Sequence, residues 1–308
     1  MTVISASLVK DLREKTGAGM MDCKKALVEA NGDLAAATDM LRKKGLAATA
    51  KKAGRVTSEG LVAAVTSGNT GVLLELNSET DFVAKNDKFQ SLALNLAKEF
   101  LNFTGDFEAF SSHKMPSGST VAEEISNHVA VIGENITLRR ADKLTVAKGH
   151  VCCYLHNSVA EGLGKIGVLI GLETEASEDK VNQLGRQIAM HVAATKPESL
   201  EVADLDQELV AQERKHLIDQ AKESGKPEAV IEKMVEGRIV KFYEQVVLTQ
   251  QIFVMDGKSR ISEVVEEAAK EAGKSIRIAN FARYNVGEGI EKQETDFASE
   301  VAAAVSGA

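Results

Sequence analysis

Residues Gly162 to Gly167, read as GLGKIG, spell the glycine pattern that cradles a dinucleotide pyrophosphate. That chemistry needs a strand before the glycines and a helix after them, so that helix N-terminal amides meet the phosphate. Here a strand-like apolar run follows instead, and dinucleotide binding is not expected. The pairs in DGKS at 256–259 and AGKS at 272–275 lack the earlier glycine of a phosphate loop. The six histidines are scattered, and none forms a His-Glu-x-x-His zinc pair. His191, in AMHVAATKPE, reads as a packed or capping residue rather than a base. No Gly-x-Ser-x-Gly nucleophile elbow occurs. Cys23, Cys152 and Cys153 lack metal-ligand spacing and read as reduced thiols of a cytoplasmic protein. In an extended segment the adjacent Cys152 and Cys153 point to opposite faces. The expectation is a chain without cofactor, metal site or covalent chemistry, acting on another protein. A nucleotide-dependent oxidoreductase resting on GLGKIG is the enzyme alternative.

The stretch Glu79-Thr80-Asp81-Phe82-Val83-Ala84-Lys85-Asn86 poses a different question. With ten Phe, three Tyr and no Trp, aromatic residues are scarce, yet Phe82 stands among polar neighbours just past a strand-like run. Phe82 lies seven residues before Phe89, so packing on the same helical face is one reading. The other is a side chain presented to a partner.

The elements that must carry these residues follow from pattern. A chain of 308 residues suggests about two domains. Its 44% hydrophobic and 27% charged content is that of an ordinary globular protein. A net charge of −8 disfavours nucleic acid as a partner. MTVISASLVKDLREKTG lacks the long apolar core of a signal peptide, and no window approaches the ~20 apolar residues of a membrane span. Three short helices are predicted over 5–45. Gly17 and Gly19 end the first; Asp22 caps the second, which stops at Asn31-Gly32. Asp33 caps the third, which stops at Gly45. LAATAKKAGRV then reads as a tether.

The middle of the chain repeats itself. GVLLEL at 71–76 echoes GVLIGL at 167–172, and each follows another apolar run, 61–65 or 151–155, to make a predicted hairpin. Helical stripes follow: Phe89, Leu92, Leu96 and Phe100 in one copy, Val181, Leu184, Ile188 and Val192 in the other. ITLRRADKLTVAKG at 136–149 echoes IRIANFARYNVGEG at 276–289. The expected fold is α+β: an N-terminal three-helix module, a duplicated core with small antiparallel sheets, an inserted antiparallel helical hairpin and a C-terminal helix. The units are expected at 1–55, 56–145, 146–199 with 243–280, the hairpin at 200–242, and a C-terminal module at 281–308. FASEVAAAV in the last unit predicts an amphipathic helix with Asp296 near its N-cap and Phe297 on its apolar face.

LVKDLREKTGAGMMDCKKALVEANGD, TDFVAKN, IGENITLRR, IAMHVAATKPE, KMVEGR and VGEGIEKQETDFASEV, in this order, resemble the bacterial elongation factor Ts family. The likeness runs from residue 4 to about 302, with Ile252 standing where the family often has Pro. It implies a guanine-nucleotide exchange factor for elongation factor Tu, with an N-terminal module like a ubiquitin-associated domain; with no phosphate loop, this chain is itself expected to bind neither GDP nor GTP. It implies that Thr80, Asp81, Phe82 and Val83 dislodge Mg²⁺ from the partner. It further implies that Arg13, Met20, Met21, Ile132, Gly133 and His156 contact that partner. A scaffold or holdase that binds a GTPase without altering its nucleotide is the alternative function.

Overall fold

Ser5 begins the first helix of the chain in a computed structural model that describes residues 4–223 and 227–291. Its hydroxyl accepts the Leu8 N–H ahead of α1 (Ala6–Thr16), and Gly17, in the left-handed region at φ 67°, ends that helix. Then come α2 (Met20–Glu29) and α3 (Leu34–Lys52), with Asp33 accepting from the Ala35 and Ala36 amides. Val9, Leu12, Cys23, Ala26, Leu27 and Ala37 close a small core among the three.

Two local expectations give way to tertiary contacts. Asp22 lies inside the first turn of α2, whose N-cap is Gly19. Its carboxylate bonds Lys44 at 2.5 Å, and that bond holds it below the usual carboxylate range. The third helix does not stop at Gly45 but runs through the expected tether to Lys52. Gly45 is buried against Ser126, Asn127 and Ala130 of α7 (Val121–Ile132). Thr49 bonds Ser126 at 2.9 Å and Arg42 bonds Glu123 at 2.8 Å. These contacts offset the ~1 kcal/mol that a mid-helix glycine costs.

The core is built twice. Strands β1 (Glu59–Ser67), β2 (Thr70–Ser78) and β3 (Ile136–Thr145) form one antiparallel sheet. Strands β4 (Gly149–His156), β6 (Ile166–Thr174) and β7 (Ile276–Asn285) form the other. A two-residue strand between β4 and β6, β5 (Leu163–Gly164), crosses over to pair with β1. The second hairpin is therefore interrupted, and its connection ties the two sheets. The orders β3-β2-β1 and β7-β6-β4 correspond, and each sheet carries a register shift at the same place, Glu75/Leu76 and Gly171/Leu172.

Between β2 and β3 lie α4 (Asp81–Ala84), α5 (Asp87–Asn102), α6 (Phe107–Phe110) and α7. Phe89, Leu92, Leu96 and Phe100 of α5 bury the helix face of the first sheet. The second sheet is covered by α8 (Glu178–Thr195) through Val181, Leu184, Ile188 and Val192, and by α11 (Ile261–Ala272). The opposite faces of the sheets meet each other through Val62, Leu73, Val151 and Leu169. That is why β2 is buried along most of its length on both sides. Cys152 faces the helices and Cys153 the sheet interface, as extended alternation requires. Burial pushes the Cys152 thiol up to about 11, so it stays protonated and inert.

An arm leaves the second half as α9 (Gln207–Lys222) and returns as α10 (Glu228–Val246), zipped by Leu217, Ala221, Ile231, Val235 and Ile239. The return helix reaches four residues beyond the expected end at 242, because Val246 closes the base by accepting the Glu198 N–H at 2.7 Å. The predicted C-terminal helix with Asp296 and Phe297 lies outside the described residues.

His191 is fully buried on α8. The Val254 N–H donates to its Nδ1 at 3.3 Å, so Nε2 carries the proton and donates to Gln251 Oε1 at 2.8 Å. The Val254 bond needs neutral imidazole, since Nδ1 must accept, and burial lowers the His191 pKa, partly opposed by the Gln251 bond, which a protonated ring also makes. An unfolded histidine titrates near ~6.5, so this stabilisation is complete above that pH and is lost as pH falls toward the depressed folded value. Denaturant midpoints should drop more between pH 7 and pH 5 for the natural chain than for His191→Gln. An equal drop would remove His191 as the source.

Candidate functional site

Strand β2 ends at Ser78, and the chain turns through Glu79 and Thr80 into the single turn α4. A threonine at this N-cap position would ordinarily accept from the helix amides, but no side-chain cap bond forms. Thr80 instead donates both its protons to one carboxylate: the hydroxyl to Glu134 Oε1 at 2.6 Å and the N–H to Glu134 Oε2 at 2.9 Å. Glu79 returns the grip, accepting the Asn135 N–H at 2.5 Å and pairing with Arg55 at 3.3 Å. Asn135 Nδ2 donates to the Arg55 carbonyl at 3.0 Å. The turn after β2 and the segment entering β3 are thus bound to each other by reciprocal carboxylates.

On this base the four residues of the motif divide by direction. Val83, 7% exposed, enters the core of the first half with Ala84. Phe82 points outward and is 76% exposed. Lys85 lies 3.5 Å from Asp81 and 5.8 Å from the Phe82 ring centroid, on the solvent side. Packing of Phe82 in the Phe89 stripe is overturned. The helix breaks at Lys85 and restarts after Asn86, whose side chain accepts the Lys88 N–H at 2.9 Å, so the seven-residue spacing is not helical phase. An aromatic ring left in water forgoes about 1.5–3 kcal/mol of burial, more than an exposed contact with Lys85 recovers.

The other predicted residues fall in three places. Ile132 packs partly against the first-half core, and Gly133 ends α7 at φ 91°, directly before Glu134. Arg13 lines a groove of about 200 Å³ with Lys10, Glu14, Gly17 and Lys88. Lys88 Nζ donates to the Gly17 carbonyl at 3.5 Å, tying the α1–α2 corner to the start of α5. Met20 and Met21 open α2 and are 53% and 63% exposed. His156 stands apart, at the end of β4 in the other sheet, with Nδ1 3.0 Å from the Tyr154 hydroxyl oxygen. Sequence reasoning missed Arg55, Glu79, Glu134 and Asn135. The last two lay in the quoted block IGENITLRR, but a partner 54 residues away leaves no local signal.

GLGKIG does not open a helix: its residues form β5 and the start of β6. Gly167 is required by the sheet interface, where a Cβ would lie 2.6 Å from Val62 Cγ1. Among the described residues no group of His, Cys, Asp and Glu has the arrangement to hold a metal ion. No described helix is long and apolar enough to cross a membrane.

Residues 79–288 match the family described as Elongation factor TS. The chain belongs to that family. It is 54% identical over 303 residues to an elongation factor Ts of Rhodospirillum centenum, covering 98% of this chain and 99% of the relative. It is 55% identical over 305 residues to that of Rhodospirillum rubrum, with 98% and 99% covered. The figure for Rickettsia bellii is 54% over 305 residues, with 99% and 98% covered. Membership makes the chain a translation elongation factor. The elongation factor Ts match opens at Glu79 and closes at Glu288. It therefore takes in the whole Phe82 turn and Glu134, while Arg13, Met20 and Met21 fall within the full-length likeness alone.

Proposed function

We propose that the chain is a guanine-nucleotide exchange factor that binds elongation factor Tu and promotes GDP release by displacing Mg²⁺ and phosphate contacts. It does this in the cytoplasm and without covalent chemistry of its own. The observation that carries the reading is Phe82, 76% exposed at the tip of a turn bonded to the core on both sides. An exchange factor has to bind the nucleotide-free partner better than the loaded one. A ring that enters a cleft only when partner helices separate supplies such a difference. A P-loop GTPase holds GDP through backbone amides and Mg²⁺, so shifted helices misplace both. Asp81 and Lys85 flank the ring as polar rim, and Val83 roots the turn. Arg13, Met20 and Met21 form a second contact, with the methionines as adaptable apolar surface. Ile132 and Gly133 lie beside the turn, and His156 serves a separate contact from the second sheet. The units proposed for this work are the N-terminal module over 1–55, the two core halves, the arm and a C-terminal module expected from 281, of which 281–285 complete β7 of the second core half.

Release of a fluorescent GDP from elongation factor Tu tests the reading. This chain should accelerate release, and it should bind neither GDP nor GTP alone. Linkage makes the effect reciprocal, so saturating Mg²⁺·GDP should dissociate the complex on gel filtration. A complex that forms without accelerating release, and survives saturating Mg²⁺·GDP, would make the chain a scaffold instead.

A further inference from the structure

We propose that Glu134 is the positioning residue of the Phe82 turn: it holds Thr80 so that the ring is presented in its engaging direction before the partner arrives. This rests on the exchange-factor reading above. Glu134 spends one carboxylate oxygen on the Thr80 hydroxyl and the other on the Thr80 N–H, which fixes the residue two positions before the ring. Charge-assisted bonds to both oxygens restrain direction as well as distance. A turn ordered only on contact would pay its conformational entropy out of binding, and one ordered beforehand does not.

The duplicated half supplies an internal control. Ser78 pairs with Ile136 in the first sheet as Thr174 pairs with Ile276 in the second. By that register Ala176 stands where Thr80 does, Glu178 where Phe82 does, and Lys274 where Glu134 does. Gly273 ends α11 in the left-handed region, at φ 63°, just as Gly133 ends α7 at φ 91°. The same corner therefore closes in both halves. In the second, Ala176 has no hydroxyl and its N–H bonds Thr174 Oγ1 at 3.0 Å. Lys274 reaches outward to Glu175 at 3.4 Å. The second half links the same two segments by the Lys274–Glu175 pair, with no acceptor at the position of Glu134, so closing the corner does not by itself require a carboxylate there. The clamp stands only in the half that presents an aromatic ring.

The test is a double-mutant cycle on stimulated GDP release, with the full chain and elongation factor Tu loaded with fluorescent GDP. Glu134→Ala should slow release about tenfold, the factor expected for losing a charge-assisted bond pair. In a Phe82→Ala background it should add nothing, because the group it positions is gone. Glu134→Gln, which keeps an acceptor for the Thr80 hydroxyl but offers none to the Thr80 N–H, should recover part of the rate. Thr80→Val should reproduce the loss from the other side of the bond and serves if Glu134→Ala folds poorly. The chain has no tryptophan, so Phe82→Trp places a single indole at the tip. Its fluorescence anisotropy should fall when Glu134→Ala is added, a change that general destabilisation of a still-folded chain would not produce. Equal slowing by Glu134→Ala with and without Phe82 would overturn the positioning role and leave the exchange reading standing. An unslowed Phe82→Ala protein would instead sink the Phe82 reading itself.

Discussion

Replacing Phe82 with alanine is expected to slow stimulated GDP release by about 10- to 100-fold, since the ring can contribute about 1.5–3 kcal/mol of burial in the partner and each ~1.4 kcal/mol is tenfold. The melting temperature should barely move. Phe82 is 76% exposed, and substitutions at such surface positions usually fall within about 0.5 kcal/mol. A buried phenylalanine such as Phe89 would cost about 3–5 kcal/mol for the same change. The two quantities separate the roles: stopped-flow release reports the partner contact, and thermal unfolding reports the core. A Phe82→Ala protein that melts far below the natural chain yet exchanges nucleotide normally would end the idea that the ring acts on the partner.

A loss of stability as large as that of a core phenylalanine should follow from Glu75→Ala. Glu75 is fully buried in the first sheet, 3.1 Å from Arg139 Nη1 and 2.6 Å from Arg140 Nε. It also accepts from Asn77 Nδ2 at 3.0 Å and from the Gly287 N–H at 2.8 Å. The last of these, with the bond from Arg139 Nη2 to the Glu288 carbonyl, pins the chain leaving β7 onto the first half. Removing one member of a buried ionic cluster strands the others, and the expected cost is about 3–5 kcal/mol. Urea unfolding should show it as a lower midpoint, and amide exchange at 285–290 should quicken. The second half has Gly171 and Asn280 at the matching register, where Asn280 Oδ1 would lie 2.5 Å from a Cβ on Gly171. Adding Arg140→Asn to Glu75→Ala should therefore recover part of the loss by removing one stranded guanidinium. An unchanged midpoint for Glu75→Ala would show that the cluster contributes no net stability.

Elements with a short repeat were legible from residue order alone. Helix caps at Asp33 and Gly17, the α5 stripe from Phe89 to Phe100 and the paired strands of both halves all follow from interactions a few residues long. The duplication was legible for the same reason, since each copy repeats its own local pattern. So was the oddity of Phe82, an aromatic residue set among polar ones. What tertiary structure alone decided involves partners far apart in sequence. Gly45 reads as a helix stop until α7, some eighty residues on, buries it inside a longer helix. Sequence context already speaks against a phosphate loop in GLGKIG, but the need for glycine at 167 appears only when Val62 and Leu73 of the other sheet occupy the space beside it. Phe82 reads equally as core or surface until the break at Lys85 and Asn86 rotates it away from the Phe89 face. Glu134 carries no local mark at all. Its meaning lies in two bonds to Thr80, which exist only because β2 and β3 are neighbours and bring the end of one against the start of the other.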